Sequence, residues 1–216
     1  MKIKGLIFDL DGVLVSTEKN HFIAWKKTAE RLGSDFTELD NEQLKGISRV
    51  DSLKKIIALA GAKVSVEEFE ELLVFKNDIY LESIRTLGPA DALPGVVELL
   101  YYAKAHDIKL GVGSSSKNAN AILELLQIKD MFDAIIDGNG VSAPKPHPEV
   151  FLNAAKGMEL SAEDCLVFED AESGILAAKA GGFKVIATGN PHVAQLANAY
   201  VDTLTDFNIS LYEESL

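Results

Sequence analysis

The 216-residue sequence contains a single cysteine, Cys165. No internal disulfide can form, so a reducing compartment is expected and Cys165 reads as a small buried apolar residue. No run approaches the ~18 apolar residues that a membrane-spanning helix needs. The opening MKIKGLIFDLDG has too short an apolar run, broken by aspartate, to serve as a signal peptide. Positive charge is scarce as well: 21 Lys and Arg against 33 Asp and Glu leave a formal net charge of −12. That balance argues against a general binder of nucleic acid or anionic membranes. An anionic ligand would have to be held by a few local basic groups against the global field. Internal repeats and low-complexity segments are missing too. The expectation is a soluble, cytoplasmic monomer.

Apolar residues make up 47% of the chain, enough for a substantial core. Short, continuously apolar runs read as strands buried on both faces: Lys4–Leu10, Ile108–Ser114, Asp133–Asp137, Cys165–Asp170 and Lys184–Gly189. Helical stripes lie between them, such as Val96, Leu99, Leu100 and Ala103, and Ala119, Ile122, Leu123 and Leu126. Strand alternating with helix predicts an α/β fold, a Rossmann-like doubly wound parallel sheet with helices on both sides. Residues 18 to 86 break this rhythm. They hold helical stripes (Phe22, Trp25, Ala29 and Leu32; then Leu53, Ile56, Ile57 and Ala60) and a capping box at Ser65-Val-Glu-Glu68. An all-helical cap domain is therefore expected at 16–92, inserted into an α/β core made of 1–15 and 93–216. Linkers near Val15–Glu18 and in the Gly/Pro stretch Gly88–Gly95 would let it open and close over a site.

Ligands of open parallel sheets bind beyond the carboxyl ends of the strands. There this sequence places Asp9 and Asp11, Ser114-Ser-Ser-Lys-Asn118, Lys145 in a proline-flanked loop, and Glu169-Asp170. Carboxylates gathered in one place repel one another unless a cation neutralises them. All-oxygen ligation suits a hard ion, and magnesium is the usual one in phosphate chemistry. A carboxylate left free of the metal can be a nucleophile or a general acid/base. Ser114 can donate to a phosphoryl oxygen, and Lys145 can offset the charge that collects there. Each feature alone has a plain structural explanation: a turn, a helix cap, a charge matched to a helix dipole. Their joint order at strand ends does not.

That order resembles the haloacid dehalogenase superfamily: Asp9-Leu-Asp-Gly12, Val112-Gly-Ser114, Lys145-Pro146 and Glu169-Asp-Ala-Glu-Ser-Gly174. Within it, the chain resembles the β-phosphoglucomutase family through Gln43-Leu-Lys-Gly-Ile-Ser-Arg-Val-Asp-Ser-Leu53, Lys76-Asn-Asp78, His21 and Trp25. The resemblance implies Asp9 as the nucleophile that carries the phosphoryl group and Asp11 as the general acid/base. It implies Mg2+ held by Asp9, the backbone carbonyl of Asp11, Glu169 and Asp170, with Ser114 and Lys145 on the transferring group. It further implies that Arg49, helped by Lys117 and Asn118, holds the sugar's other phosphate, that Ser116 contacts the substrate, and that Lys45, Gly46, Lys76, His21 and Trp25 line the cap side. Trp25 also lies on an apolar stripe, where core packing competes with substrate contact. The chain departs from the pattern at Ser16-Thr17, where many members carry an aspartate at the hinge. Its Asp137-Gly-Asn-Gly140 stretch suggests a loose loop.

The implied reaction interconverts β-D-glucose 1-phosphate and glucose 6-phosphate through β-glucose 1,6-bisphosphate. A sugar-phosphate phosphatase shares every core motif and is the alternative. A non-catalytic binding module on an enzyme fold would usually have lost a catalytic carboxylate, and here all are present.

Overall fold

The computed structural model describes residues 2–44 and 46–210. The chain divides into two compact units, one made of Met1–Ser16 with Leu87–Leu216 and the other of Thr17–Thr86.

Among the described residues, the first unit is built on six strands: β1 (Gly5–Phe8), β2 (Lys109–Gly113), β3 (Ala134–Ile136), β4 (Cys165–Glu169), β5 (Lys184–Thr188) and β6 (Ala199–Val201). All pairings are parallel, in the order β3-β2-β1-β4-β5-β6. Every residue of β1 and β4 is buried, as their unbroken apolar runs require. Each strand is shorter than its apolar run, because the last residues of the run leave the ladder at the carboxyl edge. The sixth strand was not legible: it is a three-residue edge strand with only Val201 buried.

Helices α5 (Val96–Ala105), α6 (Ala119–Leu125), α7 (Glu149–Gly157) and α8 (Glu172–Ala180) accompany the sheet. On one face, Val150, Phe151, Ala154 and Met158 of the α7 region and Ile175, Ala177 and Ala178 of α8 pack on Ile7, Val167 and Val185. Alternation sends Phe8 and Phe168 to the other face, where their rings stack at 4.9 Å and meet Phe132 and Phe207 edge-on. Burying each such large side chain stabilises by about 1.5–3 kcal/mol.

Register is what positions chemistry. Phe8 pairs with both Val112 and Phe168. The next residues along, Asp9, Gly113-Ser114 and Glu169, therefore share one edge. Strand order reverses between β1 and β4, the switch point where such sheets hold ligands. After β1, Val15 bridges antiparallel to Ala92 and Leu93 N–H donates to Leu14 O at 3.0 Å.

The second unit holds α1 (Glu18–Arg31), α2 (Glu38–Glu42), α3 (Arg49–Leu59) and α4 (Val66–Ile84). Trp25, Ala29, Phe36, Leu44, Leu53, Ile56 and Leu72 form its core. The capping box forms at α4: Ser65 Oγ accepts from Glu68 N–H at 3.2 Å, and the Glu68 carboxylate accepts from Ser65 N–H at 2.7 Å. No helix among the described residues is long and apolar enough to cross a membrane.

Candidate active site

Asp9 N–H still donates to Phe168 O at 3.0 Å, which pins the first carboxylate to the β1–β4 seam. Three residues on, Gly12 turns the chain at φ +85°, and a Cβ there would sit 2.1 Å from Asp170 Oδ2. The glycine thus serves the turn and leaves room for the carboxylate. Lys145 arrives from the β3–α7 loop and is buried. Its ammonium lies 2.5 Å from Asp9 Oδ1 and 2.6 Å from Glu169 Oε1, and 4.7 Å from the centre of the Phe151 ring. Glu169 Oε2 accepts from Ala171 N–H at 2.8 Å. A Cβ on Gly174 would fall 1.7 Å from Glu169 Oε1, which explains the glycine of the Glu-Asp-x-x-x-Gly motif.

One ammonium serves a cluster of three carboxylates and pairs directly with two of them, Asp9 and Glu169. Burial, reinforced by Glu169 and Asp11 and opposed by Lys145, pushes Asp9 up to about 7. Burial, with Glu169 and Asp9 beside it, holds Asp170 well above the usual carboxylate range. Burial alone would lower Lys145, but Asp9 and Glu169 outweigh it and the ammonium is raised. Ligand oxygens of Asp9, Glu169 and Asp170 lie within 4.8 Å of one another. This all-oxygen set with excess negative charge fits a hard divalent cation.

Ser114, buried at the end of β2, donates its N–H to Ile136 O at 2.9 Å and accepts at Oγ from Ser116 N–H at 3.0 Å. Ser116 Oγ accepts from Asn118 N–H at 3.2 Å. These two side-chain turns wind 114–118 into the start of α6, which Asn118 precedes without a side-chain cap bond. The Gly-rich stretch is tied down rather than loose. Gly138 N–H donates to Ser116 O, Asn139 Nδ2 to Lys117 O, and Asn120 Nδ2 to Asp137 Oδ2.

In the second unit, Lys76 is buried, with its Nζ 3.0 Å from His21 Nδ1. The ammonium also lies over the rings of Trp25 (4.7 Å) and Tyr80 (4.4 Å). Aromatic faces and an imidazole are what a buried ammonium needs. Trp25 is both core residue and lysine platform. Arg49 is the first residue of α3, behind the cap Ser48, and burial pushes its guanidinium down. Gly46 turns at φ +72°, while Lys45 lies outside the described residues.

Sequence reasoning missed three contributors. Tyr80 is fully buried and its hydroxyl donates to Thr17 Oγ1 at 3.0 Å. Its only signal was a position one helical turn after Lys76. Asn190 donates to the backbone carbonyl of Asp170 at 2.9 Å, signalled only by its place just after β5. Glu149, the third, gives no signal in the sequence beyond that of an acidic residue opening a helix.

Residues 6–188 match the model of the haloacid dehalogenase-like hydrolases. This chain belongs to that family. It is 42% identical to a β-phosphoglucomutase of Bacillus subtilis over 214 residues, 98% of this chain and 95% of that one. A crystal structure of β-phosphoglucomutase from Clostridium difficile superposes with a TM-score of 0.94 at 38% identity, covering 99% of this chain and 96% of that one. A phosphorylated-carbohydrate phosphatase of Thermotoga maritima is 31% identical over 187 residues, 85% of this chain and 84% of that one.

Proposed function

We propose that the protein is a phosphomutase interconverting β-D-glucose 1-phosphate and glucose 6-phosphate through an aspartyl-phosphate enzyme and β-glucose 1,6-bisphosphate. The observation that carries this reading is the Asp9–Lys145–Glu169–Asp170 cluster at the β1–β4 switch point, in a chain alike to two β-phosphoglucomutases over nearly its whole length.

Lys145 engages Asp9 Oδ1, which leaves Oδ2 as the attacking oxygen. As Oδ2 bonds to phosphorus, the bond from phosphorus to the sugar oxygen breaks, and the Asp11 carboxyl gives that oxygen a proton. In the return half, the Asp11 carboxylate takes the proton of the sugar's other hydroxyl as that oxygen attacks phosphorus and Asp9 departs. Ser114 Oγ already accepts from Ser116 N–H, so its own hydrogen is available to a phosphoryl oxygen. Lys145 offsets the charge on that group. Magnesium would be held by Asp9, Glu169, Asp170 and the Asp11 carbonyl, and would supply further positive charge to offset that of the phosphoryl group.

A mutase must also hold the phosphate that is not reacting. Arg49 suits that task. A cation at the start of a helix opposes the helix dipole, and Arg49 is partly desolvated there; a phosphate relieves both costs. Ser116, Lys117 and Asn118 are assigned to the same phosphate, and His21, Trp25, Lys45, Gly46 and Lys76 to the sugar.

The likeness to the Thermotoga maritima phosphatase favours a second reading, hydrolysis of a sugar phosphate. ³¹P NMR with magnesium, β-glucose 1-phosphate and a trace of bisphosphate decides between them. Growth of the glucose 6-phosphate signal with little inorganic phosphate is the expected result. Inorganic phosphate accumulating without isomer would reject the mutase.

A further inference from the structure

Lys145 must deliver one ammonium to two carboxylate oxygens, at 2.5 and 2.6 Å, from a stretch (137–148) that belongs to no helix or strand. Its stem is a flexible four-carbon chain, so the backbone under it has to be fixed from elsewhere. We propose that Glu149, the first residue of α7, is the positioning residue that fixes it. The inference rests on the role given to Lys145 in the proposed phosphoryl transfer.

The Glu149 carboxylate reaches back along the loop rather than toward its own helix. Oε1 accepts from Ser142 N–H at 3.0 Å, and Oε2 accepts from Ser142 Oγ at 2.8 Å and Ala143 N–H at 2.9 Å. These bonds close residues 142–149 into a ring with Lys145 in its middle. Inside the ring, His147 N–H donates to Pro144 O at 2.9 Å, and Glu149 N–H meets His147 Nδ1 at 3.3 Å. One helical turn on, Asn153 Nδ2 donates to Gly140 O at 3.4 Å, so a single face of α7 holds the loop at two points.

An ordinary first-turn glutamate would complement its own helix dipole. Here the acceptors are spent on Ser142 and Ala143, and those bonds hold the Glu149 carboxyl below the usual range. The ring lies at the surface, where such bonds add little to global stability. Its effect is local: the angle at which Lys145 enters the acid cluster.

A double-mutant cycle tests this on the full-length protein with magnesium, following phosphoryl transfer from β-glucose 1,6-bisphosphate to Asp9 in a single turnover. Glu149→Ala is expected to slow transfer roughly tenfold, short of the ~10²-fold that a 1 Å misplacement can cost. In a Lys145→Ala background, the same substitution should have no further effect, because it acts only through the lysine. Glu149→Gln keeps the length and one acceptor oxygen and should fall between wild type and alanine; it repeats the cycle if the alanine variant folds poorly. Equal slowing by Glu149→Ala with and without Lys145, or no slowing at all, would overturn the inference while leaving the mutase reading intact. A wild type that forms no phosphoenzyme would instead reject that reading, and this inference with it.

Discussion

Replacing Gly174 by alanine sets two effects of opposite sign against each other. Gly174 lies inside α8 with ordinary helical backbone, where alanine is normally favoured by up to ~1 kcal/mol. The new Cβ, however, would sit 1.7 Å from Glu169 Oε1 and 2.0 Å from Cδ. Glu169 cannot step aside freely, since Lys145 holds one of its oxygens and Ala171 N–H the other. Moving it breaks a buried charge pair, which costs about 3–5 kcal/mol. The clash wins by about 2–4 kcal/mol, and in a chain of this size Tm should fall by roughly 5–15 °C. Transfer to Asp9 should slow as well, because Lys145 loses one of its two anchors. Differential scanning calorimetry and single-turnover phosphorylation read the two effects separately. A variant with Tm raised by a few degrees and an unchanged rate would refute the reasoning.

Asp9→Asn should abolish phosphoenzyme formation yet leave circular dichroism unchanged; measurable turnover would contradict the nucleophile assignment. The folded Asp9 pKa of about 7 lies above its ordinary 3.8, so the stability this group contributes is fully present below about pH 4 and lost as pH rises through about 7. In metal-free buffer, Asp9→Asn should therefore melt higher than wild type at about pH 8, with the difference vanishing at low pH. Magnesium bound at the acid cluster would compete with protons for Asp9 and Asp170, so it should raise wild-type Tm more at about pH 8 than at about pH 5, as a thermal-shift titration would show. Asp11→Ala should slow transfer to the sugar by about 10²–10⁴-fold, the range of general acid/base catalysis. Tyr80→Phe should cost about 1 kcal/mol through the lost bond to Thr17, visible in urea unfolding.

The sheet was legible because its central strands are buried on both faces and leave unbroken apolar runs, as Leu6-Ile-Phe8 and Leu166-Val-Phe168 do. The edge strand at Ala199–Val201 leaves no such trace: it is short and half exposed. Carboxylates at strand ends betrayed the acid cluster. The cluster's geometry was beyond reach, since Lys145 meets Asp9 across 136 positions of sequence. Gly174 could be quoted as part of a motif, yet its reason is the approach of Glu169, a property of the folded chain. Glu149 looked like any helix-opening glutamate, and only the path of the preceding loop reveals where its carboxylate goes.

The bridge between Val15 and Ala92 bears on how such an enzyme can be altered. Paired antiparallel residues stand about 5 Å apart, so the chain leaves and re-enters the sheet unit through neighbouring positions. Everything between them could be excised and the cut ends joined by a short glycine-containing turn without stretching the scaffold. The acid cluster belongs wholly to what would remain, whereas Arg49, His21 and Lys76 would go. On the proposed roles, the reacting groups and most of the groups given to the sugar are thus separate parcels of the chain, and a transplanted insert would be expected to redirect the same aspartate to a different phosphate ester.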